Sequence, residues 1–149
     1  MTILNHNPVY GATQKTATAK ASSATAIANT DLDDTPTGTA LLMTAPAGGC
    51  AVTRLSAQLV EPNLATACQL NLYLSKDGGT TMRRLKSVAH AAYTWAVTTA
   101  PAADDFGYSE TAPLRLEASD RLYAQVRAGS AVTDAFAFTA EYAELVPDA

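Results

Sequence analysis

The chain has 149 residues, a formal net charge of −4 and a charged fraction of only 16%, against about 25% in ordinary soluble domains. The length suits one domain, the acidic balance argues against a nucleic-acid partner, and no apolar run reaches the roughly 18 residues that a membrane crossing needs. Alanine and threonine supply 31 and 20 positions. Such small side chains indicate thin packing and argue against a large, deep-cored enzyme.

The first 38 residues differ from the rest of the chain. They contain no basic start followed by an apolar stretch, so we expect no secretory signal, and a protein made and used in a cytosol. Residues 11–30 are nearly all Ala, Thr, Ser and Lys, and such a segment gains order only against another surface. We therefore predict an extended arm over residues 1–38 that docks on neighbouring subunits, with folding back onto its own domain as the alternative. The arm residues predicted to make the contact are Ile3, Leu4, Tyr10, Lys15, Lys20 and Ile27.

From residue 39 to residue 149 the hydrophobic pattern has a period of two, which is typical of half-buried strands. The alternating segments are 39–44, 55–59, 70–75, 82–88, 92–98, 114–117, 122–128 and 136–142. Turn-forming residues separate them, at 46–49, 61–63, 76–79, 101–107, 119–120 and 129–130. With no convincing helix between them, these segments predict an all-β domain, an antiparallel β-sandwich or jelly roll of about eight strands.

The clearest local prediction is the hairpin whose tip contains Gly78 and Gly79, because tight hairpin turns require positive φ angles. The next segment carries the basic residues Arg83, Arg84 and Lys86. Charges of this kind protect an edge strand, and a contact patch for an acidic partner is the alternative. Tyr73 and Tyr123 fall on the strand faces opposite their leucines, so they are predicted either to anchor an interface or to lie on the surface.

No set of residues in the sequence suggests an active site. The two histidines, His6 and His90, have no second ligand at metal-binding spacing, and Gly78-Gly79 lacks the helix that a phosphate loop requires. Cys50 and Cys68 are predicted to be reduced, small hydrophobes rather than a disulfide. We therefore expect no enzyme, cofactor or metal. Calcium at one of two acidic clusters is a weak alternative, at Asp104-Asp105 or at Asp31, Asp33 and Asp34.

Trp95 is the chain's single tryptophan, and it stands in a stretch of small residues. A residue of this size is expected to fill the core. A platform for sugar binding is the alternative reading.

Three stretches of the chain resemble small β-sandwich virion proteins of tailed bacteriophages, which are encoded beside the major capsid protein. Residues 49–60 (GCAVTRLSAQLV) are similar to a glycine turn leading into an "I-x-R-I-x-I" strand. Residues 69–85 (QLNLYLSKDGGTTMRRL) are similar to a "V-R-L-F-L-x-D-G…R-L" hairpin. Residues 112–128 (APLRLEASDRLYAQVRA) are similar to "P-L-x-L-x-x-G-x-x-L-x-A-S". The chain departs from this pattern at Ser119-Asp120, where a glycine is usual, and at its carboxyl end, which lacks the glycine-rich close.

The resemblance implies a capsid decoration or cement protein on the virion exterior. Its partners would be the major capsid protein and neighbouring copies of itself, with no nucleic acid and no membrane. Two alternatives remain open at this point: a tail, neck or head-fibre-base protein of the same fold, and a carbohydrate-binding jelly-roll module using Trp95, Tyr73 and Tyr123.

Overall fold

The computed structural model describes residues 14–23, 35–61, 63–101, 103–128 and 132–145. All regular structure in these ranges is β-strand. The nine strands are β1 (Gln14–Ser23), β2 (Ala40–Thr44), β3 (Cys50–Leu59), β4 (Cys68–Ser75), β5 (Arg83–His90), β6 (Ala103–Asp105), β7 (Leu114–Leu116), β8 (Arg121–Arg127) and β9 (Val132–Glu144). Within the described ranges there is no helix with the length and apolarity that a membrane crossing requires.

The strands form two antiparallel sheets that pack face to face. Sheet A has the order β1-β9-β3-β6, with β7 also paired to β3, and sheet B has the order β2-β8-β4-β5. Because the chain passes repeatedly between the sheets and neighbouring strands are distant in sequence, the architecture is a jelly roll. The predicted fold class is confirmed.

One predicted strand and one predicted turn are wrong. Residues 92–98 form no strand: they lie in a loop that holds only isolated bridges, Leu64 with Tyr93 and Ala96 with Thr99. The strand of this region is β6, which lies inside the stretch 101–107 that was predicted to be a turn. The connection between β3 and β4 passes from sheet A to sheet B.

The core explains much of the alanine content. Ala19 and Ala57 flank Phe138 in sheet A, one from β1 and one from β3, and the Phe138 ring is fully buried. Small side chains on both sides leave room for the ring at the close packing that protein interiors have. Leu55, Leu70, Leu72, Leu122 and Val126 complete the fully buried interior from both sheets.

The centre of the predicted arm belongs to the domain. β1 pairs with β9 from Gln14 opposite Ala143 to Ser23 opposite Val132, so this segment folds back, as the alternative reading held. The reason is a period of two in which alanine serves as the apolar residue: Ala21 is buried, whereas Lys20 is exposed. Residues 35–38 at the end of the arm are also described, whereas residues 1–13 and 24–34, which include Ile3, Leu4, Tyr10 and Ile27, lie outside the described residues.

The β4–β5 hairpin forms as predicted, with φ of +75° at Gly78 and +98° at Gly79. Asp77 stabilises the turn because its Oδ1 accepts hydrogen bonds from the Ser75 hydroxyl and the Thr81 amide, both at 2.8 Å. These bonds favour the ionised carboxylate and lower the pKa of Asp77 to about 2.

Candidate interaction surfaces

A histidine–carboxylate pair joins the edges of the two sheets. His90 ends β5 and its Nδ1 lies 2.5 Å from Oδ2 of Asp104 on β6. The ring also meets the Phe136 ring edge-on, with centroids 4.9 Å apart. No partner for His90 is evident from the sequence, because the two residues are 14 positions apart on strands of different sheets.

Cys68 stands directly across the ladder from His90, which brings a thiol, an imidazole and a carboxylate to one region. A nucleophilic cysteine must be a thiolate. Burial, with the nearby charge of Asp104, instead raises the pKa of the Cys68 thiol to about 11. Burial raises the pKa of Cys50 to about 11 as well, and both cysteines are free thiols. The His90–Asp104 pair is therefore best described as a structural link between the sheets.

Lys86 forms a second link between the same edges. Its Nζ donates to the Phe106 carbonyl at 2.8 Å and lies 4.7 Å from the centre of the Tyr108 ring. A register shift between Leu72 and Tyr73 places Lys86 opposite an inward-facing leucine. The Lys86 ammonium group is therefore engaged within the molecule, and these contacts compete with its predicted use as a contact for an acidic partner.

The neighbouring acids Asp104 and Asp105 do not converge on a cation. Successive strand residues point to opposite faces, so Asp105 turns away from His90, and its Oδ1 accepts from the Gly107 amide at 2.7 Å. No group of three or more His, Cys, Asp or Glu is placed to hold a metal in the part of the chain that the structure describes. Asp31, Asp33 and Asp34 lie outside it.

Tyr73 is not on the surface, contrary to its predicted role as an interface residue. It is fully buried on the outer face of sheet B, where its hydroxyl donates to Oε1 of Gln125 at 3.2 Å. Asn71 Nδ2 donates to the same oxygen at 2.8 Å, and Gln125 Nε2 donates to the Thr37 carbonyl at 2.7 Å. The segment before β2 therefore lies against this face.

The other predicted interface residues do not gather into one patch. Tyr123 is half-buried over the hairpin tip, where a Cβ at Gly79 would overlap its hydroxyl. Lys15 forms an ion pair with Glu144 at 2.7 Å, which raises the pKa of the lysine. Arg83 is exposed and Arg84 half-buried on the edge strand β5, so the predicted edge position is confirmed.

The outer face of sheet A is built from small or polar side chains. The ladder pairs Thr18 with Thr139 and Thr139 with Ser56 across three strands, and the next row joins Lys20 to Ala137 and Ala137 to Gln58. We call this surface the sheet A face: residues 16, 18, 20, 54, 56, 58, 103, 105, 137, 139 and 141. It includes the exposed Lys20 of the predicted arm contact.

One end of the sandwich exposes large apolar side chains. Residues 63–67 and 91–101 lie together there, joined by the Leu64–Tyr93 bridge. Trp95 is 57% exposed and Val97 is 85% exposed, so the expectation that Trp95 fills the core is wrong. Trp95 lies between the Leu64–Tyr93 bridge and the turn closed by the Ala96–Thr99 bridge. We call this surface the Trp95 end.

Comparisons with known proteins return little. No protein family matches this chain, and no curated protein does. Among solved structures, the chain is similar to Eiger TNF from S. frugiperda, at 15% sequence identity, over 89% of this chain and 88% of that chain, with a TM-score of 0.42. The jelly-roll assignment rests on the strand order of this chain itself.

Proposed function

We propose that this chain is a non-enzymatic virion structural protein of a tailed bacteriophage, a decoration or cement subunit on the exterior of the head. Its partners are the major capsid protein and neighbouring copies of itself. The sequence resemblance in residues 49–60, 69–85 and 112–128 supports this proposal, and so does the sheet A face. That face is the observation that carries it.

The sheet A face suits repeated contacts between neighbouring subunits. It spans four strands, about 14 Å at roughly 4.8 Å per strand, and residues 16–20 along β1, about 14 Å at roughly 3.4 Å per residue. The resulting area of about 200 Å² is well below the roughly 800 Å² per partner of a standard stable interface. A single contact of this size is weak, but copies bound to one lattice hold each other at high effective concentration.

The charges on the sheet A face are of both signs and of small number. Lys20 and Arg54 stand on it with Asp105 and Glu141. The small side chains allow a neighbouring subunit to approach closely. The mixed charges determine the register of the contact more than its strength. This is the behaviour that a lattice-stabilising subunit requires.

The test is binding to purified capsids that lack this chain, followed by co-sedimentation. Thr18→Arg places a long charged side chain on the sheet A face, and we expect it to lower capsid binding at least tenfold. Ala89→Arg is the matched control, because Ala89 is exposed on the edge strand of the other sheet. Failure of the wild-type protein to bind contradicts the function, whereas wild-type binding by Thr18→Arg contradicts the role of the sheet A face.

The exposure of Trp95 favours a second candidate, a carbohydrate-binding module. Burial of Tyr73 removes one of the three aromatic residues that this reading requires. A glycan array on which wild-type protein binds and Trp95→Ala does not would support this candidate over the first. A tail, neck or head-fibre-base role keeps the same fold and is separated from decoration by the number of copies in a particle.

A further inference from the structure

The Trp95 end combines features that together indicate a docking anchor. The first is exposure: Val97 lies in the turn of residues 96–99 and Trp95 just before it, and both are among the most exposed large apolar residues of the described ranges. Val60, 44% exposed, begins the neighbouring loop. Tryptophan is among the residue types most enriched at the interface positions that contribute most to binding energy.

The second feature is the lack of charge. Residues 60–67 and 91–102 contain one charged residue, Glu61, and no Lys, Arg or His. The opposite end differs, because Lys76 there pairs with Glu117 at 2.9 Å and with the buried Asp120 at 3.1 Å. Depletion of charge is the compositional mark of the centre of a protein–protein interface.

The third feature is rigidity. Leu64 and Tyr93 exchange backbone hydrogen bonds of 2.8 and 2.9 Å. Asn63 Oδ1 accepts from the Trp95 amide at 2.8 Å, and the Tyr93 hydroxyl donates to the Thr99 carbonyl at 2.8 Å. The turn closes with the Thr99 amide donating to the Ala96 carbonyl at 3.1 Å. A loop that is already ordered loses less conformational entropy when it binds.

We propose that Trp95 and Val97 form an anchor that inserts into an apolar pocket of a protein partner. This inference rests on the proposed function for the identity of that partner, the outer surface of the major capsid protein. The Trp95 end then contacts the shell, whereas the sheet A face contacts neighbouring copies.

The chemistry around Trp95 favours a protein pocket over other partners. A sugar site needs several polar side chains to bind hydroxyl groups beside the ring. Near Trp95 these are mainly the exposed threonines Thr94 and Thr98, because the Asn63 side-chain oxygen is bonded to the Trp95 amide and the Tyr93 hydroxyl to the Thr99 carbonyl. Membrane-surface anchors combine apolar residues with a basic flank, whereas loops 60–67 and 91–102 contain no basic residue. Arg127, which ends β8 beside them, donates to the Gln69 side chain at 3.4 Å. A pocket lined by apolar side chains matches what the end offers.

The test compares Trp95→Ala with Leu41→Ala in capsid co-sedimentation. Leu41 is also an exposed apolar residue, 47% exposed, but it lies on β2 away from the Trp95 end. We expect Trp95→Ala to weaken capsid binding about 30-fold or more, the loss that defines a binding hot spot, and Leu41→Ala to change it less than twofold. Because both side chains are exposed, both variants should keep the wild-type melting temperature.

The single tryptophan supplies a second readout. Protein labelled with 5-fluorotryptophan gives one ¹⁹F signal, and we expect this signal to shift or broaden on addition of capsids. An unchanged signal with bound protein, or wild-type binding by Trp95→Ala, overturns the anchor and leaves the proposed function standing. Absence of wild-type capsid binding overturns both. Trp95-dependent binding to a glycan array, or to phosphatidylglycerol–phosphatidylcholine vesicles, overturns the choice of a protein pocket.

Discussion

Ser119 occupies a backbone conformation that favours glycine. Its φ is +69°, the only positive value at a non-glycine residue in the described ranges. The turn holds it there, because the Asp120 amide donates to the Glu117 carbonyl at 3.1 Å and the Ser119 amide to the Ala45 carbonyl at 3.2 Å. The buried Asp120 carboxylate also accepts from the Glu117 amide at 2.9 Å. The perturbation that relieves this strain is Ser119→Gly.

The expected effect is a net stabilisation. The left-handed region costs a non-glycine residue about 1–2 kcal/mol, and glycine loses about 0.5–1 kcal/mol through its greater freedom in the unfolded chain. The difference is about 0.5–1 kcal/mol in favour of Ser119→Gly, or about 2 °C in melting temperature for a chain of this size. Guanidinium unfolding followed by circular dichroism measures the free energy of unfolding directly.

The neighbouring residue supplies the control. Ala118 is exposed and has a negative φ, so Ala118→Gly should lower the free energy of unfolding by about 0.5–1 kcal/mol. The two glycine substitutions therefore have opposite signs at adjacent positions. Equal destabilisation by both would refute the strain at Ser119.

Three further predictions concern titratable groups. Asp104→Ala leaves a buried histidine nitrogen unpaired and should lower the free energy of unfolding by about 1–3 kcal/mol. Asp105→Ala, on the exposed side of the same strand, should lower it by about 0.5 kcal/mol or less. Equal losses would contradict the link between the sheets. Asp77→Asn should be less stable than wild type at neutral pH. Because the Asp77 pKa is about 2, that difference in stability should shrink as pH falls from about 4 towards 2. A difference in chemical unfolding that does not depend on pH would contradict the role of Asp77 in the turn. Burial raises the pKa values of Cys50 and Cys68 to about 11. Both thiols should therefore react with iodoacetamide at pH 8.5 far more slowly in native than in unfolded protein, and the free energy of unfolding should decline above pH 9 as the thiols of the unfolded chain ionise. Fast alkylation of the native protein would contradict their burial.

The period-two pattern predicted most strands because large apolar residues mark their inner faces. It missed β1, although residues 16–21 alternate threonine or lysine with alanine, because alanine is too weakly apolar to stand out. Its inward role becomes evident only beside Phe136 and Phe138 of β9. The segment 92–98 also alternates, but its apolar members include Trp95, which faces solvent.

The residues of the candidate surfaces were harder to predict than the strands. A register shift near Leu72 separates Arg84 from Lys86, and a shift of one residue moves a side chain to the other face. The alternation predicted that Tyr73 faces outward, and it does lie on the outer face of sheet B. It is buried there, with its hydroxyl bonded to Gln125. Contacts between distant segments of this kind leave no local pattern in the sequence.

Quantitative mass spectrometry of purified particles tests the central claim most directly, by measuring the ratio of this chain to the major capsid protein. A subunit that covers the head lattice should be present on the order of hundreds of copies per particle, in a fixed ratio set by the lattice symmetry. A ratio that matches a single ring at the neck or tail, or the absence of the chain from the particle, would contradict the decoration role.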